Sequence, residues 1–171
     1  MNQFLKKKGP LISFGLVPIF FLWHPNWIGI LGSQPYWPLF WLLPWSIIYG
    51  PMDGLIAGLY LGLILDSISP HNFYTQMPGL LLCGLWFGKI NQYNGNSFLK
   101  HFRYGLICSL GSFMCGLLYF LQIIIKNFPE NNFFFFQANV KIILTQVFLT
   151  GLFAPLICSQ LFWFFKIAKE K

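Results

Sequence analysis

From Asp53 to Ser69 the chain reads D-G-L-I-A-G-L-Y-L-G-L-I-L-D-S-I-S, and no stretch limits the possible folds more. Gly54, Gly58 and Gly62 recur every four residues, and Asp66 takes the next step. Residues four apart on an α-helix are offset by about 40°, so these four form one slowly winding ridge. Leu55, Ile56, Leu59, Tyr60, Leu61, Leu63, Ile64 and Leu65 fill the rest of the surface. A helix apolar nearly all round belongs in lipid or in a large core. A glycine ridge along such a helix lets a neighbouring backbone come close, as at small-xxx-small membrane interfaces. Asp66 is the only acidic side chain between Asp53 and Glu130.

The rest of the chain decides between lipid and a soluble core. Hydrophobic residues make up 56% of the 171 and charged residues only 9%. A soluble domain averages about 25% charged, so this chain has too few charges to clothe a soluble surface. One span needs roughly 20 mostly apolar residues, which limits the chain to five or six. The expectation is an all-α, polytopic membrane protein: residues 1–171 as a single transmembrane domain, with about six helices in a compact bundle. The net charge of +7 does not point to nucleic acid. Its basic residues sit in short clusters between apolar runs, with no basic face interleaved with exposed aromatics.

The expected spans run from Leu11 to about Trp23, Tyr36 to Tyr49, Asp53 to Ser69, Met77 to Ile90, Tyr104 to Ile125, and Ile142 to Phe165. Trp23-His24-Pro25-Asn26-Trp27 reads as an interface segment. Lys6-Lys7-Lys8 followed by Leu11 to Trp23 has the charge and core of a signal peptide, but no small-x-small cleavage site follows, so it reads as a retained span. Pro44 is expected to kink the second span. Spans two and three read as a closely packed hairpin across Gly50-Pro51-Met52-Asp53, with Asp53 capping the third. Gly84-x-x-x-Gly88 in the fourth is a second small ridge able to face the first. Lys89 to Arg103 and Lys126 to Lys141 read as loops, the latter holding an aromatic belt at Phe133 to Phe136. With a cytoplasmic N-terminus, Lys6, Lys7, Lys8, Lys89, Lys100, Arg103, Lys166, Lys169 and Lys171 are inside and only Lys126 and Lys141 outside. That asymmetry follows the positive-inside rule for an even number of spans, with both termini cytoplasmic and Asp66 near the outer surface.

Few residues carry possible chemistry. Asp66, with Ser69 beside it, is the candidate functional or partner-contact site, because carboxylates inside spans are rare and usually mark function or a buried partner. Its plainer alternative is a helix end wetted by headgroup water, or bonded to Ser67, Ser69 or His71. Gly54, Gly58, Gly62, Gly84 and Gly88 read as helix-packing positions. Cys83, Cys108, Cys115 and Cys158 lie in apolar runs without a C-x-x-C pair and read as small buried hydrophobes. His24, His71 and His101 are scattered, which gives no metal-ligand spacing. No cofactor or catalytic residue is called for.

The Asp53–Ser69 stretch also carries a family resemblance. G-L-I-A-G-L-Y-L-G-L-I-L-D-S-I-S at Gly54 to Ser69, with Pro35-Tyr36-Trp37 leading into the preceding helix, resembles the MreD family of the bacterial rod-shape machinery. Size, basic N-terminus and run of spans agree over the whole length. The family usually has a small Gly-containing turn after its Asp-x-x-Ser; here that place reads Pro70-His71-Asn72-Phe73-Tyr74. The resemblance implies a non-enzymatic component of the elongation complex in the bacterial inner membrane. Its implied partners, beyond lipid, are MreC, the actin-like MreB, the glycosyltransferase RodA and a class B penicillin-binding transpeptidase.

Two rival readings come from other classes. The S-components of energy-coupling-factor transporters also have about six spans, but a solute carrier needs polar groups converging inside the bundle. Here the mid-span polar residues are Gln122, Gln146, Ser112 and Thr145. Asp53-Gly54-x-x-Ala57 and Gly62-x-x-x-Asp66 imitate fragments of the CDP-alcohol phosphotransferase motif. That chemistry needs several carboxylates around a divalent metal, and Gly50, Gly58 and Pro70 stand where an acid, an Arg and an acid are wanted.

Overall fold

A computed structural model describes residues 33–68, 74–90, 97–126 and 133–170. They form five helices: α1 (Trp37–Tyr49), α2 (Pro51–Ile68), α3 (Met77–Lys89), α4 (Ser97–Lys126) and α5 (Phe133–Glu170). Three of them contain segments long and apolar enough to cross a bilayer: Pro51–Ile68, Phe102–Ile125 and Gln137–Phe165. The chain is thus an all-helical membrane protein. The expected first span and the Trp23–Trp27 segment lie outside the described residues.

At 13 residues each, α1 and α3 are shorter than a full crossing. For α1 the reason is its place at the centre, where it contacts all four other helices. Leu39, Phe40, Trp41, Leu42, Leu43, Trp45 and Ile48 are all buried. A helix walled in by protein need not match the hydrocarbon thickness that lipid-facing helices must match. Pro38 in the first turn costs no hydrogen bond, because its missing N–H has no intrahelical partner there. Pro44 lies inside the same helix. Trp41 stacks on Trp45 with ring centroids 5.0 Å apart, and the ring of Phe165 from α5 meets both edge-on.

The outward faces are apolar. Met52, Ile56, Tyr60 and Leu63 on α2 are exposed, as are Leu106, Leu110, Phe113 and Leu117 on α4 and Phe148, Leu152 and Leu156 on α5. In water such contiguous patches would be a liability; against lipid tails they are solvated.

The structure corrects several boundaries. α4 begins at Ser97 and α5 at Phe133, so much of each expected loop is helix, including Phe133–Phe136. Charge ends the apolar part of a span, but Lys, Arg and His do not end a helix; Gly95 and Pro129 lie before the two helix starts, and neither 97–103 nor 133–141 holds Gly or Pro. The α5 helix likewise runs through Lys166 and Lys169 to Glu170. Asp53 is not the cap of its helix. Pro51 is the first helical residue, and Asp53 lies within the first turn, exposed, where its charge suits the helix dipole. The turn before it is a single residue, Gly50, at φ 106°. Gly50 donates its N–H to Ser46 O and accepts from the N–H of Gly54, both at 2.9 Å, so one residue closes α1 and opens α2.

The closest helix pair is α2 with α3, not α1 with α2. A Cβ on Gly54 would lie 2.5 Å from Gly84 O and 2.6 Å from Ser46 Oγ; one on Gly62 would lie 2.6 Å from Met77 Cα. Gly58 faces the Leu80 carbonyl, Gly84 faces the Gly54 carbonyl, and Gly88 faces Pro51. Glycine on both partners removes the side chains from the contact, so backbone packs on backbone. The α4–α5 contact has a milder version, with Gly105 opposite Gly151 and Gly116 opposite Ile143.

Candidate functional site

The helices alternate in direction, so two ends of the bundle are distinct. At one end meet the start of α1, the end of α2, the start of α3, the end of α4 and the N-terminal half of α5. Asp66 lies there, half-buried in the last turn of α2. Its Oδ1 accepts the backbone N–H of Gln76 at 2.9 Å. Gln76 immediately precedes α3 and has no side-chain cap of its own. Its N–H is one of the donors a helix start leaves without an intrahelical acceptor, and a carboxylate is a strong acceptor for it.

The side chain of Gln76 extends the tie. Its Oε1 accepts the phenol O–H of Tyr36 at 2.8 Å. The backbone N–H of Tyr36 in turn donates to Thr150 Oγ1 of α5 at 2.9 Å, and the fully buried Thr150 hydroxyl donates to Gln146 O at 2.7 Å. From α4, Gln122 grips Thr75 twice. Its Oε1 accepts the Thr75 N–H and its Nε2 donates to Thr75 O, both at 3.0 Å. This amide clasp copies the pairing of two strands. Tyr74 packs edge-on against Tyr119 beside it, at 5.7 Å. Ser33 adds a bond to Ile142 O at 3.3 Å.

Each of the five helices therefore supplies or receives a hydrogen bond in one cluster: Tyr36 at α1, Asp66 on α2, Thr75 and Gln76 before α3, Gln122 on α4 and Thr150 on α5. Polar groups withdrawn from water are costly unless paired, and here the pairing fastens the ends of α1 to α4 to one another and to the middle of α5. Asp66 is bonded to Gln76 rather than to Ser67, whose hydroxyl turns back to Leu63 O at 2.7 Å. Ser69 and His71 lie outside the described residues, as does His24. Gln122 stood out in the sequence only as a mid-span polar residue, and Tyr36 only as part of an approach to a helix. Their meeting needs contacts 40 to 114 residues apart, which no local pattern encodes.

The opposite end is basic. Lys89 ends α3, Lys100 and Arg103 lie near the start of α4, and Lys166 and Lys169 near the end of α5. Tyr104 stacks on Phe162 there at 4.7 Å. Among the described residues no three His, Cys, Asp or Glu side chains converge as metal ligands would.

No protein-family model matches the chain, and no curated protein or solved structure does either.

Proposed function

We propose that the chain is a non-enzymatic scaffold of the bacterial cell-elongation machinery. In this reading it is a six-span inner-membrane protein with both termini cytoplasmic, supporting cell shape and peptidoglycan synthesis. The sixth span is Leu11 to Trp23, α1 is a short span enclosed by its neighbours, and α3 is a short span held closely against α2, with Leu82 and Trp86 exposed. The resemblance at Gly54–Ser69 supplies the class of partner: MreC, MreB, RodA and a class B penicillin-binding transpeptidase.

One observation carries the reading. The polar groups at the Asp66 end bind helix ends together, so they serve architecture before they serve a solute. The exposed apolar face of α2, opposite its glycine ridge, then offers Met52, Ile56, Tyr60 and Leu63 to lipid or to a partner's helix. The basic residues gathered at the other end support a cytoplasmic assignment for that end.

Depletion of the protein is the direct test. Rounded cells or disordered wall growth, together with co-purification of elongation proteins, are the expected outcomes. Loss of uptake of one vitamin or metal with normal shape would overturn the scaffold reading in favour of a solute-capture subunit. Reporter fusions at Lys171 and near Glu130 are expected in opposite compartments; the same compartment for both removes the six-span topology.

A further inference from the structure

The four cysteines meet in twos. Cys83 of α3 and Cys115 of α4 have their sulfurs 3.5 Å apart, and Cys108 of α4 and Cys158 of α5 have theirs 3.8 Å apart. All four are buried free thiols. Cys108 and Cys115 are two turns apart on α4, so one helix presents a thiol to each neighbour from nearly the same face. The backbones are close as well. A Cβ on Gly79, one turn before Cys83, would lie 3.0 Å from Cys115 Sγ and 3.1 Å from Cys115 Cα. Each pair also touches a carbonyl: Cys83 Sγ is 3.5 Å from Gly111 O, and Cys158 Sγ is 3.5 Å from Phe40 O.

Small side chains suit close helix contacts, and here the four that carry sulfur face one another in twos, thiol to thiol. Two chemistries suit facing thiols. A soft monovalent metal ion held by two thiolates would leave a net negative charge among Leu39, Phe40 and Phe87, and an uncompensated buried charge is costly. A disulfide is neutral and apolar, so its burial carries no such penalty.

We propose that Cys83–Cys115 and Cys108–Cys158 are two oxidation sites. At each, a membrane-permeant two-electron oxidant converts the facing thiols into a disulfide that staples α3 to α4 or α4 to α5. Two S–H bonds break and one S–S bond forms. With an azodicarboxamide as oxidant, the N=N bond becomes N–N and each nitrogen takes one hydrogen, so atoms and electrons balance. The sulfurs must close from contact to about 2 Å, a movement that side-chain rotation and a small helix shift supply.

The test uses the full-length protein in lipid bilayers. It is treated with an azodicarboxamide, quenched and unfolded in excess maleimide, then measured by intact mass and non-reducing peptide mapping. Untreated protein is expected to take up four maleimides and oxidised protein none, with Cys83 linked to Cys115 and Cys108 to Cys158. The Cys115→Ala variant loses only the first bond and Cys158→Ala only the second, each retaining the other as an internal control. Oxidation is expected to raise the thermal unfolding midpoint, and a membrane-permeant reductant to reverse the rise. Four maleimides after oxidation of the folded protein, links between the wrong cysteines, or links between separate chains would each overturn the proposal. The wild-type map decides it even if a variant folds poorly.

Discussion

Adding a single methyl group at Gly58 tests whether backbone contact holds α2 against α3. The new Cβ would press on the Leu80 carbonyl, 2.9 Å from its carbon, with Leu81 N 3.2 Å away. Carbon atoms rest at about 3.5–4.0 Å, so the helices must part by roughly 0.5 Å or more to admit it. The obstacle is main chain inside a helix and cannot swing aside. Parting also loosens Gly54 against Gly84 and Gly62 against Met77 along the same line. A gap of about 0.5–1 Å forfeits a quarter to a half of the dispersion attraction across it. Overpacking typically costs about 1–3 kcal/mol, and the rigidity of this contact places Gly58→Ala in the upper half of that range. At about 1.4 kcal/mol per tenfold, a loss of about 2–3 kcal/mol lowers the folded-to-unfolded ratio roughly 30- to 150-fold. Gly116→Ala is the matched control, because its Cβ meets only side-chain atoms of Ile143, the nearest being Cγ2 at 3.0 Å, so a shift of a few tenths of an ångström admits it. Both variants would be unfolded in mixed micelles by stepwise addition of sodium dodecyl sulfate and followed by helical circular dichroism. Equal midpoints for the two would refute the reasoning and give the ridge back to lipid.

Three further substitutions probe the helix ends. Asp66→Asn keeps an oxygen for the Gln76 N–H, so membrane abundance is expected near normal while recovery of partner proteins falls; full recovery in co-purification would make Asp66 a structural residue only. Gln122→Leu removes both bonds to Thr75, and with each worth about 0.5–1.5 kcal/mol it is expected to speed amide hydrogen exchange at Thr75 and Gln76; unchanged exchange would mean the clasp contributes nothing. Gly50→Ala meets no atom within 4 Å of the new Cβ, so its whole effect comes from a backbone at φ 106°. Such strain costs about 1–3 kcal/mol, and a wild-type unfolding midpoint would show that the turn relaxes.

The contrast between what was legible and what was not follows the range of each interaction. The glycine spacing in Asp53–Ser69 and the paucity of charge are local and compositional, and they lead directly to an apolar helix with a close-packing line. The partner of that line was less accessible: Gly84 and Gly88 form a second ridge, but only the fold shows α3 rather than α1 as the tightest neighbour of α2. Helix ends misled because hydropathy falls at Lys100 or Lys141 while the backbone continues in register. The capping role expected of Asp53 failed for another local reason, since Pro51 already satisfies the requirements of a first helical position. The cluster around Asp66 was half visible. A carboxylate in an apolar run attracts notice, whereas Gln76, Gln122, Tyr36 and Thr150 acquire meaning only once distant segments are brought together.

The enclosed position of α1 also has a consequence for biosynthesis. At about 1.5 Å per residue, its 13 residues extend about 20 Å, against a hydrocarbon core of about 30 Å. Leaving the ribosome alone, with Pro38 and Pro44 in its sequence, α1 is a weak candidate for independent insertion. Its lining arrives later, ending with Ala154, Cys158 and Phe165 of α5, which belong to the same buried cluster. A chain truncated after Lys126 is therefore expected to leave Trp41 and Trp45 open to quenching by brominated lipid, and the complete chain to shield them. α1 is translated before the other four described helices, yet its environment is completed last, and the membrane that receives it is, for most of its surface, the rest of the protein.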